Sequence, residues 1–225
     1  MSAATVSVIF ILFAVYVGFQ VVKNFQLRNL NKALAQKDYD LVEKLAAMGL
    51  SRKLLGQYNC DLYQLRALYL GEDVPRFEAL LRQMIATEYK NPADKKSFLE
   101  QYFHTFLLRE NKQYADWLLE AIRAFGDEVF TRYNEQAYAV MIEKRSDLIE
   151  TMDHQIDAKQ YYGFSLGVIL FMIARQYEYL NDTANAVLYY KNAKICFHPK
   201  AIYVPVIESC IERLEQPEER ETARA

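Results

Sequence analysis

Apolar residues recur every three to four positions along most of the chain, a spacing that places them on one face of an α-helix. The pattern predicts a short helix near residues 41–48, ending at Gly49, and then nine further helices joined by short polar connections. These nine are Asp61–Leu70, Val74–Tyr89, Pro92–Arg109, Tyr114–Phe125, Val129–Glu143, Asp147–Asp157, Tyr161–Leu180, Thr183–Phe197 and Lys200–Glu215. Because the connections are short, consecutive helices should pack antiparallel. The predicted fold class is all-α.

Residues 5–22, TVSVIFILFAVYVGFQVV, carry no charged side chain. As a helix they would span roughly 27 Å, close to the ~30 Å hydrocarbon thickness of a bilayer. The segment therefore predicts an N-terminal transmembrane helix. A cleaved signal peptide is one alternative, but the preceding residues 1–4 have no basic side chain. A buried core helix is the other.

Basic residues on the C-terminal side of this segment predict its orientation. Four of them come before the first acidic residue, Asp38: Lys23, Arg28, Lys32 and Lys37. By the positive-inside rule, the N-terminus is expected outside and the C-terminal domain in the cytoplasm. The chain also has three cysteines without CxxC spacing: Cys60, Cys196 and Cys210. An odd number of cysteines agrees with free thiols in a reducing compartment.

The predicted domain organisation has four parts. Residues 1–4 form a short N-terminus, 5–22 the anchor and 23–215 a helical domain. Residues 216–225 are charged and carry no large apolar side chain, so we expect a disordered tail. The uncharged stretch 163–174 is short for a second membrane crossing, and we expect it to be a buried helix.

The polar turns recur at nearly regular intervals. They fall at Lys37, Gly71, Asn111, Lys144 and Asn181, separated by about 34, 40, 33 and 37 residues. In the last helix pair, small and aromatic residues alternate in a way that lets two helices approach closely. The residues that carry this pattern are Ala174, Tyr177, Ala186, Tyr190, Ala193 and Pro199. With these residues the chain resembles the tetratricopeptide (TPR) family.

The resemblance extends to residues 60–93 in weaker form. There Ala67, Leu70, Ala79, Ala86 and Pro92 follow the same register, with Gln83 in place of the aromatic residue. The resemblance implies a TPR-like α-solenoid of about four to five helical hairpins after the transmembrane helix. A plain helical bundle is the alternative architecture.

In TPR proteins the first helix of each repeat lines a concave groove that receives a peptide. The resemblance thus implies a partner-binding groove formed in the last repeat by Val168, Phe171, Arg175, Glu178 and Tyr179. A TPR subclass that grips C-terminal carboxylates uses Lys and Asn where this chain has Phe171 and Arg175. We therefore do not expect a receptor of that kind.

Charge and composition exclude several function classes. With 27 basic and 29 acidic residues the net charge is −2, which argues against a nucleic-acid binder. Seven Gly and five Pro are too few for a typical all-β or Rossmann-like chain. The 17 Tyr and 13 Phe suit both a helical core and protein interfaces.

The sequence contains no GxSxG, GxxxxGK[ST] or GxGxxG motif and no Cys/His cluster with zinc spacing. We therefore expect no cofactor, no metal site and no small-molecule substrate. One acidic helix face stands out, made of Asp147, Glu150, Asp153, His154 and Asp157. It is either a solvated surface or a site for a basic partner or a divalent ion.

These observations predict a single-pass, membrane-anchored scaffold that binds a protein or peptide partner without catalysis. Two alternatives remain. One is an extracytoplasmic, membrane-anchored TPR protein with a chaperone-like role. The other is a membrane-bound enzyme that uses the carboxylate cluster at residues 147–157.

Overall fold

The computed structural model describes residues 3–215, and every secondary-structure element in that range is an α-helix. The twelve helices are α1 (Ala3–Ala35), α2 (Tyr39–Ala47), α3 (Gly49–Leu55), α4 (Gln57–Leu70), α5 (Val74–Ala86), α6 (Pro92–Leu108), α7 (Lys112–Ala124), α8 (Glu128–Met141), α9 (Ile149–Asp157), α10 (Gly163–Tyr179), α11 (Thr183–Cys196) and α12 (Tyr203–Glu215). The all-α prediction is confirmed. The expected disordered tail, 216–225, lies outside the described residues.

The observed helices follow the predicted ones, with differences at several boundaries. Helix α4 begins at Gln57, four residues before the predicted start, and α5 ends at Ala86, three residues before the predicted end. Helix α3 was not predicted. Gly49 was expected to end the preceding helix, but the backbone of Met48 is extended and Gly49 begins a new helix. Helix α9 begins at Ile149, so Asp147 precedes it. Helix α12 begins at Tyr203 and not at Lys200, after a turn that contains Pro199.

The polar turns share one backbone geometry. Six non-glycine residues have φ between 52° and 59°, the left-handed region: Lys37, Glu72, Glu110, Lys144, Lys159 and Asn181. After five of these, all but Lys144, the next residue donates its amide hydrogen to a carbonyl five positions earlier, as in a Schellman motif. Four of the turns then continue directly into an Asp or Asn that caps the next helix: Asp38, Asp73, Asn111 and Asp182. The left-handed residues Lys37, Glu72, Glu110, Lys144 and Asn181 lie at or next to the polar turns predicted from the sequence, and Lys159 is an additional turn between the last two.

The chain divides into two compact units, Met1–Asp94 and Lys95–Ala225, called unit 1 and unit 2 below. One hydrophobic core cluster of unit 1 is formed by α1–α4. Its buried residues are Leu30, Ala33, Val42, Ala46, Leu55, Cys60 and Ala67. The C-terminal part of α1 is thus an integral element of the fold of unit 1.

The N-terminal part of α1 has a different environment. Between Val6 and Val22 its large apolar side chains are 41–71% exposed. The helix from Val8 to Ala35 is long and apolar enough to cross a membrane. One continuous helix therefore joins the apolar segment to the core of unit 1.

The core of unit 2 is rich in aromatic side chains. Phe171 of α10 contacts Tyr190 of α11 and Tyr203 of α12, with ring centroids 5.4 and 4.9 Å apart. The ring of Phe197 stacks on Tyr203 at 4.8 Å. The uncharged stretch 163–174 lies in α10, where most residues from Gly167 onward are buried. It is a core helix, as expected.

Candidate partner-binding site

Two of the five predicted groove residues lie in the core of unit 2. Val168 and Phe171 are both 0% exposed. The aromatic rings of α11 and α12 cover Phe171. Neither side chain offers an accessible surface in this structure. The accessible part of the predicted set is therefore Arg175, Glu178 and Tyr179, which are partly exposed.

Glu178 is the centre of a charged cluster that joins three helices. Its carboxylate accepts hydrogen bonds from Arg175 of α10 at 3.0 Å, from the Tyr190 hydroxyl of α11 at 2.8 Å and from Arg213 of α12 at 2.5 Å. Burial opposes ionisation of Glu178, but these three donors outweigh it and lower its pKa. Arg175 and Glu178 thus stabilise the packing of α10, α11 and α12.

Tyr179 is held by contacts of its own. The Lys144 ammonium lies 5.9 Å and the Arg175 guanidinium 5.2 Å from the centre of its ring. Its hydroxyl donates to the carbonyl of Val140 at 3.1 Å, which connects α10 to α8. The ring is therefore fixed in position while part of it remains accessible.

The residues that carried the TPR resemblance lie mainly in the α10–α11 hairpin. Four of them, Ala174, Ala186, Tyr190 and Ala193, are 0% exposed. Tyr177 is partly exposed and contacts Tyr189 with 5.4 Å between ring centroids. Pro199 is exposed in the turn before α12. Small buried residues and tyrosines are thus present together in this hairpin, and this combination is the one on which the resemblance to TPR repeats depends.

The acidic face is partly used by contacts within unit 2. Asp147 makes a two-point salt bridge with Arg145, at 2.9 and 2.7 Å. Asp153 accepts a hydrogen bond from the Tyr189 hydroxyl at 2.9 Å. Glu150, His154 and Asp157 are exposed on α9. Within residues 3–215 no group of three or more His, Cys, Asp or Glu side chains is arranged to hold a metal ion.

A surface groove between α11 and α12 was not predicted from the sequence. It encloses about 610 Å³ and is lined by Lys191, Lys194, Ile195, Glu208, Ile211, Glu212 and Glu215. Ile195, one of its lining residues, is 83% exposed, the highest value among the large apolar side chains that the structure describes as exposed. Salt bridges from Lys191 to Glu215 and from Lys194 to Glu208, both 2.7 Å, connect its two walls. The groove combines two apolar lining residues, Ile195 and Ile211, with lysines on the α11 wall and glutamates on the α12 wall.

Only an indirect signal in the sequence points to this groove. Ile195 occupies the helix position seven residues after Leu188, which is 52% exposed, so both lie on one face of α11. An apolar pair on a helix face normally predicts burial. The exposure of this pair depends on where α12 packs against α11, and helical periodicity does not predict that position.

A buried polar cluster in unit 2 was also not predicted from the sequence. His104 of α6 is 0% exposed, and its Nδ1 is hydrogen-bonded to the Tyr203 hydroxyl at 2.7 Å. Its other ring nitrogen, Nε2, and Oδ1 of Asn134 are buried without a hydrogen-bond partner in the described part of the chain. Burial lowers the pKa of His104 to about 3, with the Asn134 amide opposing. The hydroxyl of Tyr133 donates to Glu100, whose pKa is raised by burial.

Comparisons of the chain with protein-family models, with curated proteins and with solved structures found no match.

Proposed function

We propose that this protein is a single-pass, membrane-anchored scaffold that binds a helical segment of a protein partner. The observation that carries the proposal is the α11–α12 groove, whose lining residue Ile195 is 83% exposed. A pair of antiparallel helices leaves a surface groove into which the ridges of a third helix pack. A partner helix would bury Ile195 and Ile211 and complement the charged walls.

The helical-hairpin organisation supports this interpretation. Repeats of the TPR type bury the face of one hairpin against the next, and the last hairpin retains an open face. In our proposal the α10–α11 hairpin is such a TPR-like unit, and α12 completes its outer side. Arg175, Glu178 and Tyr179 stay in the proposal as the residues that stabilise the groove's supporting helices.

The continuous helix α1 supports the membrane part of the proposal. Tethering at a membrane confines the groove to that surface, which raises its effective concentration toward membrane-bound partners. We propose the orientation predicted from the flanking lysines and arginines, with the N-terminus outside and the folded units in the cytoplasm. The bound partner is a protein, and the proposed activity involves no cofactor, nucleic acid or bond chemistry.

Site-specific photocrosslinking tests the groove. A photoreactive amino acid replaces Ile195 in the full-length protein, in the cells that produce it, and Val129 of α8, which is 53% exposed and does not line the groove, is the matched control. We expect a discrete adduct from position 195 that disappears when Ile211→Glu is added, with the peptide attached being helical and amphipathic. Equal adducts from both positions, or insensitivity to Ile211→Glu, would contradict the proposal.

Cysteine labelling tests the orientation. Cys60 and Cys210 are buried, whereas Cys196 is partly exposed and is the suitable reporter. We expect a membrane-impermeant maleimide to label Cys196 only after the cells are opened. Labelling in intact cells would instead support the extracytoplasmic, chaperone-like alternative.

A further inference from the structure

The corner between α2 and α3 in unit 1 presents apolar side chains to solvent. Met48 is 46% exposed and Leu50 is 51% exposed, with Gly49 between them. Exposed apolar side chains that lie close together indicate a surface that contacts another apolar phase.

Hydrogen bonds fix this corner against α1. The turn at Lys37 sends α2 back along the C-terminal part of α1. Gln26 of α1 donates through Nε2 to the Ser51 hydroxyl at 2.7 Å, and Ser51 donates to the carbonyl of Leu45. Gln26 is 7% and Ser51 0% exposed, so the contact is buried. The corner therefore lies beside Gln26.

Helix geometry gives the distance from this contact to the uncharged segment. Gln26 follows Val22 by four residues, which is ~6 Å along a helix axis. Each headgroup layer of a bilayer is about 5–8 Å thick. Lys23, three residues before Gln26 on the same side of α1, is only partly exposed, whereas Val21 and Val22 are exposed. If α1 crosses the membrane, the corner lies at the depth of the lipid headgroups.

The charges around the corner fit such an environment. Arg52 and Lys53 of α3 directly follow the corner and are both exposed. The Arg52 side chain is 40% exposed while pairing with Asp61 at 3.2 Å. Exposed apolar residues flanked by basic side chains are typical of protein surfaces that lie in the boundary between headgroups and acyl chains.

We infer that the Met48–Leu50 corner is embedded in the headgroup layer of the bilayer that α1 crosses. This gives unit 1 a second lipid contact besides its anchor. The inference rests on the membrane anchoring in the proposed function. It adds that unit 1 contacts the lipid surface directly through α2 and α3.

Fluorescence quenching in liposomes tests the inference. The full-length protein is reconstituted in phosphatidylcholine with a minor fraction of phosphatidylglycerol and doxyl-labelled lipids. Met48→Trp and Leu50→Trp place an indole at the corner, and the signal of the chain's one tryptophan, Trp117, is measured in the parent and subtracted. Circular dichroism of each variant verifies that it is folded.

Leu70→Trp is the matched control within unit 1. Leu70 is 43% exposed, similar to Met48. It precedes Gly71, where an added Cβ would lie 3.2 Å from the Tyr39 ring. Tyr39 follows the end of α1 at Ala35, which is 13 residues or ~20 Å beyond Val22. The control therefore reports the end of unit 1 that is remote from the bilayer.

We expect lipids with the doxyl group near the headgroup to quench most of the added emission of Met48→Trp and Leu50→Trp, and aqueous iodide to quench little of it. Leu70→Trp should show the reverse. Corner indoles as open to iodide as Leu70→Trp would overturn the inference. So would indoles shielded from iodide without lipid quenching, since a protein surface such as a second copy of the chain would then cover them.

A fourth variant separates failure of this inference from failure of the anchor. Phe13 lies in the uncharged segment and is 62% exposed. Quenching of Phe13→Trp by mid-chain doxyl lipids together with unquenched corner variants would reject the corner and retain the anchor. Absence of quenching at Phe13→Trp would reject both.

Discussion

His104 and Tyr203 are hydrogen-bonded across 99 positions of the chain, with 2.7 Å between Nδ1 and the hydroxyl oxygen. The bond joins α6 to α12 inside unit 2. His104 also contacts Phe164 at the start of α10, with ring centroids 5.3 Å apart. A linear stack of repeats makes contacts mainly between neighbouring repeats. These contacts between distant helices give unit 2 a closed core in addition to its hairpins.

The variant Tyr203→Phe should destabilise unit 2 by about 1–3 kcal/mol, because it leaves the buried Nδ1 of His104 without its partner. Tyr189→Phe is the matched control. It removes a hydroxyl that bonds Asp153 at a partly exposed position, so its cost should be below about 1 kcal/mol. Urea denaturation followed by circular dichroism compares the two. Equal losses of unfolding free energy would show that the buried bond to His104 stabilises the protein no more than the partly exposed bond to Asp153.

Acid should destabilise the protein through His104. Its folded-state pKa is about 3 and its reference value is 6.5, so the unfolded chain takes up a proton first as the pH falls. The full unfolding free energy is therefore retained above about pH 6.5. Uptake of this proton by the unfolded chain should lower it by about 2 kcal/mol by pH 5.

The comparison that isolates this effect is the pH slope of the unfolding free energy in wild type and in His104→Phe. Glu100 acts in the opposite direction, because burial raises its pKa in the folded state. Glu100 is present in both proteins, so its contribution cancels when one pH slope is subtracted from the other. Identical slopes between about pH 5 and pH 6.5 would refute a buried neutral His104.

Gly167→Ala should destabilise unit 2 by about 1–3 kcal/mol through overpacking. A Cβ at this position would lie 2.8 Å from the Phe197 ring, and that ring is held by its stacking on Tyr203. At Gly49 a Cβ meets no atom within 4 Å, so Gly49→Ala should be neutral or stabilising. Thermal unfolding of the two variants should show a lower midpoint for Gly167→Ala alone.

Glu178→Gln should destabilise the α10–α12 packing by about 2–3 kcal/mol, because it removes the charge that Arg175 and Arg213 share. Since its pKa is lowered on folding, the loss should be full at neutral pH and should shrink in acid. Glu208→Gln, at an exposed salt bridge with Lys194, is the control and should cost below about 1 kcal/mol. Guanidinium unfolding at neutral and acidic pH checks both statements.

Glycine should be favoured at the left-handed turns. Glu72 is exposed with φ of 59°, so Glu72→Gly should raise stability by about 0.5 kcal/mol through relief of backbone strain. Ala79→Gly, at an exposed position inside α5, should lower it by about 1 kcal/mol. A loss of stability in both variants would show that the turn carries no such strain.

The sequence predicted the helices well because local signals determine them. Asp73, Asn111 and Asp182 cap the helices that were expected to begin beside them, and helical periodicity marked the apolar faces. Long-range packing could not be predicted in the same way. Phe171 was expected to line a groove, but Tyr203, thirty-two positions later, covers it. A buried histidine such as His104 looks like a surface histidine when only its sequence neighbours are known.

Helix α1 passes without interruption from residues with exposed apolar side chains to Leu30 and Ala33 in the core of unit 1. No flexible joint therefore separates the exposed apolar half of the helix from the half that packs in unit 1. In a bilayer, hydrophobic mismatch changes the tilt of a long apolar helix. If α1 crosses a bilayer as proposed, any such tilt is transmitted to unit 1 as a rigid-body rotation, and membrane thickness then sets the angle at which this unit stands on the surface.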